Sequence, residues 1–146
     1  FRRVLFRPEY TLKVFKGHYA TAFTLYTEAD LPQAGLYRIT INFFSDSVID
    51  YQNGQKVFDT RPDASEASII FGAGLSTEWA PVPTGSKQTI FYEFEVDQPG
   101  PTIVGASFRN RYIAPNNGWF LDDWSLQLIQ PAESKQRILF PSMVLT

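Results

Sequence analysis

The chain has 146 residues, no cysteine and a formal net charge of −2 at pH 7. This length suits one domain with a hydrophobic core, and the absence of a basic excess argues against nucleic-acid binding and attraction to an anionic membrane. Without cysteine there are no disulfides or thiolate sites. No apolar run approaches the roughly 18 residues of a membrane span, so we predict no membrane insertion.

Almost every apolar segment alternates apolar with polar residues, and Gly, Pro or Asn separates one segment from the next. In chain order, strands are predicted within 11–17, 20–32, 35–51, 88–100, 101–115 and 116–131. A period of two is typical of half-buried antiparallel strands. Because no segment has a helical period, we predict an all-β fold: an antiparallel β-sandwich, a jelly roll of about eight to ten strands.

The domain is predicted to span residues 1–131, with 132–146 as a C-terminal tail, an edge strand or a linker. Residues 59–66 are polar and predict a surface loop. Because the chain begins with Phe1 and not Met, we expect a fragment or processed form of a longer protein. The strand pattern also predicts the residues that form the interior of the sandwich, which are Tyr37, Ile39, Ile41, Ile90, Phe94, Val104, Phe108, Trp124 and Leu126.

Two adjacent aspartates, Asp122 and Asp123, lie within the last apolar strand. Strict alternation from Phe120 to Trp124 would point Asp122 towards the core and Asp123 outwards. A buried carboxylate needs compensation. A calcium ion would suit these hard oxygen ligands, and local amides or an ion pair with Arg109 or Arg111 would serve equally well.

Catalysis has little support in the sequence. His18 is the only histidine, which excludes a histidine cluster for a metal, and there is no G-x-S-x-G motif. Glu93 and Glu95 alternate with apolar residues, as on a solvated strand face. The chain is therefore predicted not to be an enzyme.

The stretch Gly-Trp-Phe-Leu-Asp-Asp-Trp-Ser-Leu, 118–126, resembles the closing strand of carbohydrate-binding modules with the galactose-binding-domain-like jelly roll. The segments "YTLKVFKG", "AGLYRITINFF" and "TEWAPV" with "TIFYEFEVD" resemble earlier strands of that family, so the resemblance covers roughly residues 10–130. It implies a β-sandwich that binds a polysaccharide or glycan. It also implies that Asp122, with Asp123 beside it, helps hold a structural calcium ion.

Sugar binding in such modules uses aromatic rings that stack on the apolar face of a pyranose, with polar side chains that read its hydroxyls. Aromatic residues predicted to point outwards or to lie beside turns are candidates, as are polar residues near them. The predicted ligand-binding residues are Trp79, Trp119, Tyr51, Tyr112, Arg111 and Asn117.

The leading prediction is a non-catalytic, extracellular, carbohydrate-binding-like module of a larger secreted or cell-surface bacterial protein. The alternative is a structural β-sandwich subunit of a surface appendage or filament. In that case the apolar stretches "FRRVLF" and "RILFPSMVLT" at the two ends would join other domains or copies of the chain by strand addition.

Overall fold

The computed structural model describes residues 3–6 and 11–132. The predicted C-terminal tail, 132–146, therefore lies outside the described residues except for Ala132. The described residues form eleven strands. Within them, no helix is long and apolar enough to cross a membrane.

The strands form two antiparallel sheets that pack face to face. In the six-stranded sheet the strands are β1 (Arg3–Phe6), β2 (Leu12–Lys16), β4 (Gly35–Gln52), β5 (Gln55–Phe58), β9 (Lys87–Val96) and β11 (Asn116–Pro131). In the five-stranded sheet they are β3 (Ala22–Leu31), β6 (Ser65–Phe71), β7 (Leu75–Ser76), β8 (Ala80–Pro81) and β10 (Gly100–Asn110). The predicted all-β antiparallel sandwich is confirmed.

The long strands alternate between the two sheets along the chain, as expected of a jelly roll. Strand β4 is central in the six-stranded sheet: it pairs with β11 along one side and with β9 and β5 along the other. Strand β11 in turn pairs with β2 and β1 on its far side. Strand β10 is central in the five-stranded sheet, between β3 and β6.

The predicted interior is confirmed. Tyr37, Ile39 and Ile41 of β4 lie in the buried cluster between the sheets, with their predicted partners from β9, β10 and β11, and Ile90 is partly buried against it. The turn between β4 and β5 also follows the sequence. Asn53 and Gly54 both have positive φ angles, 51° and 75°, as a tight hairpin turn of Asn-Gly requires.

Candidate functional site

A β-bulge explains how strand β11 carries two adjacent aspartates. Between the paired residues Leu121 and Trp124, Asp122 and Asp123 lie opposite the single residue Asn42 of β4. The Asn42 side-chain amide donates a 2.8 Å hydrogen bond to the backbone oxygen of Asp123 and so satisfies a carbonyl in the bulge. One extra residue in β11 shifts the alternation of its side chains.

This shift corrects the predicted orientation of the strand. Trp119 and Leu121 face the core before the bulge, and Trp124 and Leu126 face it after the bulge. Asp122 is consequently exposed and not inward. The predictions that Asp122 points to the core and that Trp119 points to solvent are both wrong, because they assume an unbroken period of two.

The aspartate pair does not have the surroundings that the calcium prediction requires. Asp122 is exposed and Asp123 is half-buried. Throughout 11–132, no three Asp, Glu or His side chains lie close enough together to hold a metal ion. Calcium binding stays a prediction, but its physical motive, the compensation of a buried Asp122, is absent.

The bulge instead turns Asp122 towards a groove on the outer face of the six-stranded sheet. The groove has a volume of about 550 Å³. Its floor is formed by the rings of Phe44 and Phe120, whose centroids lie 5.9 Å apart with the planes at 73°. Its walls carry the polar side chains of Asn42, Lys56, Lys87, Thr89 and Asp122.

Strand pairing brings these residues together from four parts of the chain. Phe44 of β4 pairs with Phe120 of β11 on one side and with Lys87 of β9 on the other. In the same ladder Asn42 pairs with Thr89, whose hydroxyl donates a 2.6 Å hydrogen bond to the Asn42 side-chain oxygen. The amide of Asn42 is therefore held in place by the bulge on one side and by β9 on the other.

A buried carboxylate lies next to the groove. Asp46 has none of its surface exposed, and its two oxygens accept hydrogen bonds of 2.9 and 3.0 Å from the Lys56 ammonium. Lys13 lies 3.7 Å away, and the Asn116 amide donates a third hydrogen bond at 3.1 Å. The ammonium groups of Lys13 and Lys56 lie 4.9 and 6.0 Å from the centroid of the Phe120 ring, within reach of a cation–π interaction.

Two of the predicted ligand-binding residues are buried and support loops instead. Asn117 and Trp119 have no exposed surface. The Asn117 amide donates hydrogen bonds to the backbone oxygens of Tyr19 and Tyr112, at 2.8 and 2.7 Å. The Trp119 indole donates to the Asn110 side chain at 2.9 Å. Neither residue can contact a ligand, so these two predictions are wrong.

Three other predicted residues do come together, at the end of the five-stranded sheet. The Arg109 guanidinium lies 4.2 Å from the centroid of the Trp79 ring, and Arg109 and Arg111 both donate to Glu66, at 3.1 and 2.7 Å. Asp63 connects Arg111 to Tyr112. Its carboxylate lies 3.9 Å from the Arg111 guanidinium and accepts a 2.9 Å hydrogen bond from the Tyr112 hydroxyl.

The remaining members of this cluster are also paired. The Arg61 guanidinium lies 3.5 Å from the centroid of the Tyr112 ring and binds the buried Asp59 carboxylate. Residues 59–66 were predicted to be a surface loop, yet Asp59 and Glu66 are buried. Tyr51, 52% exposed, lies on β4 and does not line the groove.

The arginines shift the pKa values of two acids in this cluster. The hydrogen bond from Arg61 lowers the pKa of the Asp59 carboxyl below its ordinary value. Burial raises the pKa of Glu66, but the hydrogen bonds and charges of Arg111 and Arg109 outweigh it, so this pKa is lowered overall. The hydrogen bond that Tyr112 donates to Asp63 raises the pKa of its phenol.

These shifts predict a loss of stability in acid. Because the folded protein holds Asp59 and Glu66 below their unfolded pKa values of about 4, the stabilisation is present above that pH and is lost as the pH falls through the folded pKa values. We expect the melting temperature to fall steeply from about pH 5 downwards, and Glu66→Gln to flatten this fall. Thermal unfolding between pH 7 and pH 2 measures this dependence, and Glu95→Gln, at an exposed position, is the control. If the melting temperature fell equally steeply with pH in both variants, the stabilising role of Glu66 would be contradicted.

Comparison with known proteins establishes the class of fold. No protein-family model and no curated protein matches the sequence. A solved structure of TmCBM61, in complex with β-1,4-galactotriose, is similar with a TM-score of 0.52 at 17% identity, over 83% of this chain and 72% of that chain. The structural neighbours thus include a carbohydrate-binding module, and at this identity the likeness shows a shared β-sandwich fold.

Proteins of other kinds share the fold as well. A chain of the infectious bursal disease virus Gt strain has a TM-score of 0.52 at 9% identity, over 87% of this chain and 33% of that one. Dimeric latent PorU from Porphyromonas gingivalis has a TM-score of 0.50 at 10% identity, over 89% of this chain and 12% of that one. The fold alone therefore does not determine the function of the chain.

Proposed function

We propose that this chain is a non-catalytic carbohydrate-binding module that holds a glycan in the groove of the six-stranded sheet. The observation that carries the proposal is the combination of an aromatic floor, Phe44 and Phe120, with polar walls. A pyranose has an apolar C–H face and a rim of hydroxyls, so it needs both kinds of surface in one place. A volume of about 550 Å³ suits a few sugar rings.

The walls supply the hydrogen-bonding chemistry that hydroxyls require. Asp122 offers acceptor oxygens, Lys56 and Lys87 offer donors, and Asn42 and Thr89 offer both. Asn42 is fixed by hydrogen bonds to Thr89 and the bulge, so little side-chain entropy is lost when it contacts a ligand. The galactotriose bound by TmCBM61, a protein of the same fold, supports this class of ligand.

The charged groups of the groove suit binding better than hydrolysis. Glycoside hydrolysis uses two carboxyl groups on either side of the scissile bond. Asp122 is the carboxylate on the groove wall, and Asp46 is buried behind it against Lys56 and Asn116. We infer that the module gives a larger secreted or cell-surface protein its affinity for a glycan. In this proposal residues 1–131 form the sandwich and 132–146 form its tail.

A Phe120 variant should distinguish glycan binding in the groove from binding at another site. Phe120→Ala removes half of the aromatic floor, and we expect affinity for a glycan ligand found on a polysaccharide panel to fall about tenfold or more. Asp122→Ala, at an exposed position, should also weaken binding without affecting the fold. Affinity is measured by isothermal titration, and circular dichroism checks the fold.

The matched control is Trp79→Ala, because Trp79 is the exposed tryptophan that the sequence favours as a platform. One face of its ring is already covered by Arg109. If Trp79→Ala abolished binding while Phe120→Ala and Asp122→Ala did not, the glycan would lie on the Trp79 cluster and the groove assignment would be wrong.

A second candidate function is that of a structural subunit joined through terminal strands. The observation that favours it is the edge of the six-stranded sheet: β1 and β2 lie there, and Leu12 and Phe15 of β2 are 43% and 60% exposed. Unpaired strand edges with apolar side chains promote association. The mass of the chain in solution, before and after deletion of 1–6 or 132–146, tests it, and a monomer in every case would eliminate it.

A further inference from the structure

We propose that the groove selects an anionic glycan, one whose sugars carry carboxylate or sulfate groups. This inference rests on the proposed function, since it specifies the ligand of the same groove. The observation behind it is the surplus of ammonium groups at the groove, in a chain whose overall net charge is −2.

The first source of this surplus is the Asp46 cluster. One buried carboxylate is approached by two lysines: Lys56, at 2.9 Å, and Lys13, at 3.7 Å. The Asn116 amide donates to the same carboxylate. The side chains of Lys56 and Lys13 are 41% and 36% exposed, whereas Asp46 is fully buried. The cluster therefore presents a net charge of +1 to solvent, beside the Phe120 ring.

The second source is Lys87 of β9, which lies across β4 from Phe120. It pairs with Phe44 in the β4–β9 ladder and lines the groove. Within the described part of the chain, no carboxylate lies within ion-pair distance of Lys87, in contrast to Arg38, which binds Glu93 at 2.5 Å on the same face of the sheet. A lysine without a partner beside an aromatic floor remains available to a ligand.

The negative groups do not cancel this charge. The groove is lined by Lys56, Lys87 and Asp122, and the adjoining cluster adds Lys13 and Asp46, so three ammonium groups stand against two carboxylates and one positive charge is in excess. At the Trp79 cluster, by comparison, Arg61 is bound to Asp59, and Arg109 and Arg111 are bound to Glu66, with Asp63 beside Arg111. In the groove, unlike at the Trp79 cluster, an anionic sugar can gain a partner, Lys87, without displacing an ion pair between described residues.

The arrangement also specifies how charge and stacking combine. A sugar ring on Phe44 and Phe120 lies within a lining that includes both Lys56 and Lys87, with Asp122 available to accept from a hydroxyl. A carboxylate or sulfate on the ring pairs with an ammonium group, while the hydroxyls bind Asn42, Thr89 and Asp122. A neutral sugar makes the same stacking contact and can accept hydrogen bonds from the ammonium groups, but it brings no negative charge to pair with them.

The test compares each acidic oligosaccharide with its neutral counterpart. Uronate tetrasaccharides of galacturonate, glucuronate and mannuronate are titrated beside their carboxyl-reduced forms, and a sulfated maltotetraose beside maltotetraose, at low and at high salt. We expect at least one acidic member to bind about five- to tenfold more tightly than its neutral form at low salt, with the difference shrinking as salt rises. The uronate and sulfate arms show which anion is preferred.

Lys87 provides the matched variants. Lys87→Gln should weaken binding of the acidic form much more than binding of the neutral form, and so remove most of the preference. Lys87→Arg should restore the preference. Lys16→Gln on β2, outside the groove, is the control and should change neither affinity.

The outcomes separate the inference from the proposed function. Equal binding of acidic and neutral forms, lost in Phe120→Ala, would overturn the charge preference and leave glycan binding in the groove intact. An acidic preference that Lys87→Gln does not change would overturn the assignment to this groove. If no oligosaccharide of either kind bound, both the inference and the proposed function would fail.

Discussion

Replacing Trp119 with alanine is expected to lower the free energy of unfolding by about 3–5 kcal/mol. The side chain has no exposed surface, and its ring packs against Phe108 and Phe43, with centroids 4.8 and 5.8 Å apart. Its truncation leaves a cavity between the sheets and removes the hydrogen bond to the Asn110 side chain. Both losses add to the cost, because a buried amide oxygen would be left without its donor.

Urea denaturation of the variant beside the wild type measures this cost, and Trp79→Ala is the matched control. Trp79 is 37% exposed and contacts Arg109 through its ring, so its truncation should cost about 1 kcal/mol or less. Equal costs at the two positions would mean that Trp119 faces solvent and that β11 has no bulge before Trp124.

Asn117→Ala should cost about 2–4 kcal/mol, an unusually large loss for a polar side chain. Its side-chain amide donates hydrogen bonds to the backbone oxygens of Tyr19 and Tyr112, which belong to two different loops. Its side-chain oxygen accepts a 2.7 Å hydrogen bond from the Ser47 hydroxyl. Truncation therefore removes three hydrogen bonds, and it leaves the buried Ser47 hydroxyl without its acceptor.

A double-mutant cycle with Ser47→Ala separates the shared hydrogen bond from the two loop contacts. We expect Ser47→Ala alone to cost about 1 kcal/mol and the double variant to cost less than the sum, because the hydrogen bond is removed once. Exact additivity, or a cost below about 0.5 kcal/mol for Asn117→Ala, would contradict the loop-holding role.

Strict alternation is the signal that made the strands and the core predictable. Tyr37, Ile39 and Ile41 alternate with polar residues, and β4 is continuous in register with β9 along that stretch. Burial of one face of each strand is enough to form the core, and alternation of apolar and polar residues places the apolar ones on that face. The same reasoning failed in β11, where a single extra residue reversed the face of every preceding side chain.

The bulge did leave a trace in the sequence. Trp119 and Leu121 occupy odd positions, whereas Trp124 and Leu126 occupy even ones, with the two aspartates between the pairs. A change of parity between two apolar runs is what one inserted residue produces. Reading both pairs as core residues would have placed the bulge at Asp122 and Asp123 and turned Asp122 outwards.

The groove itself could not be predicted from the sequence. Phe44, Lys56, Lys87 and Phe120 are far apart along the chain and meet through the register of β4 with its neighbours. Register depends on non-local packing and turn geometry, which the local pattern of apolar and polar residues does not reveal. The polar stretch 59–66 was misjudged for a similar reason, since the arginines that compensate Glu66 come from β10 and the loop after it.

The most direct test of the groove assignment is a map of amide chemical shifts during titration with a glycan ligand found on the panel. Glycan binding in the groove predicts the largest shifts at Asn42, Lys87, Thr89 and Asp122, which line it, and small ones around Trp79 and Tyr112. Shifts concentrated at Trp79, Arg109 and Arg111 with an unchanged groove would contradict it.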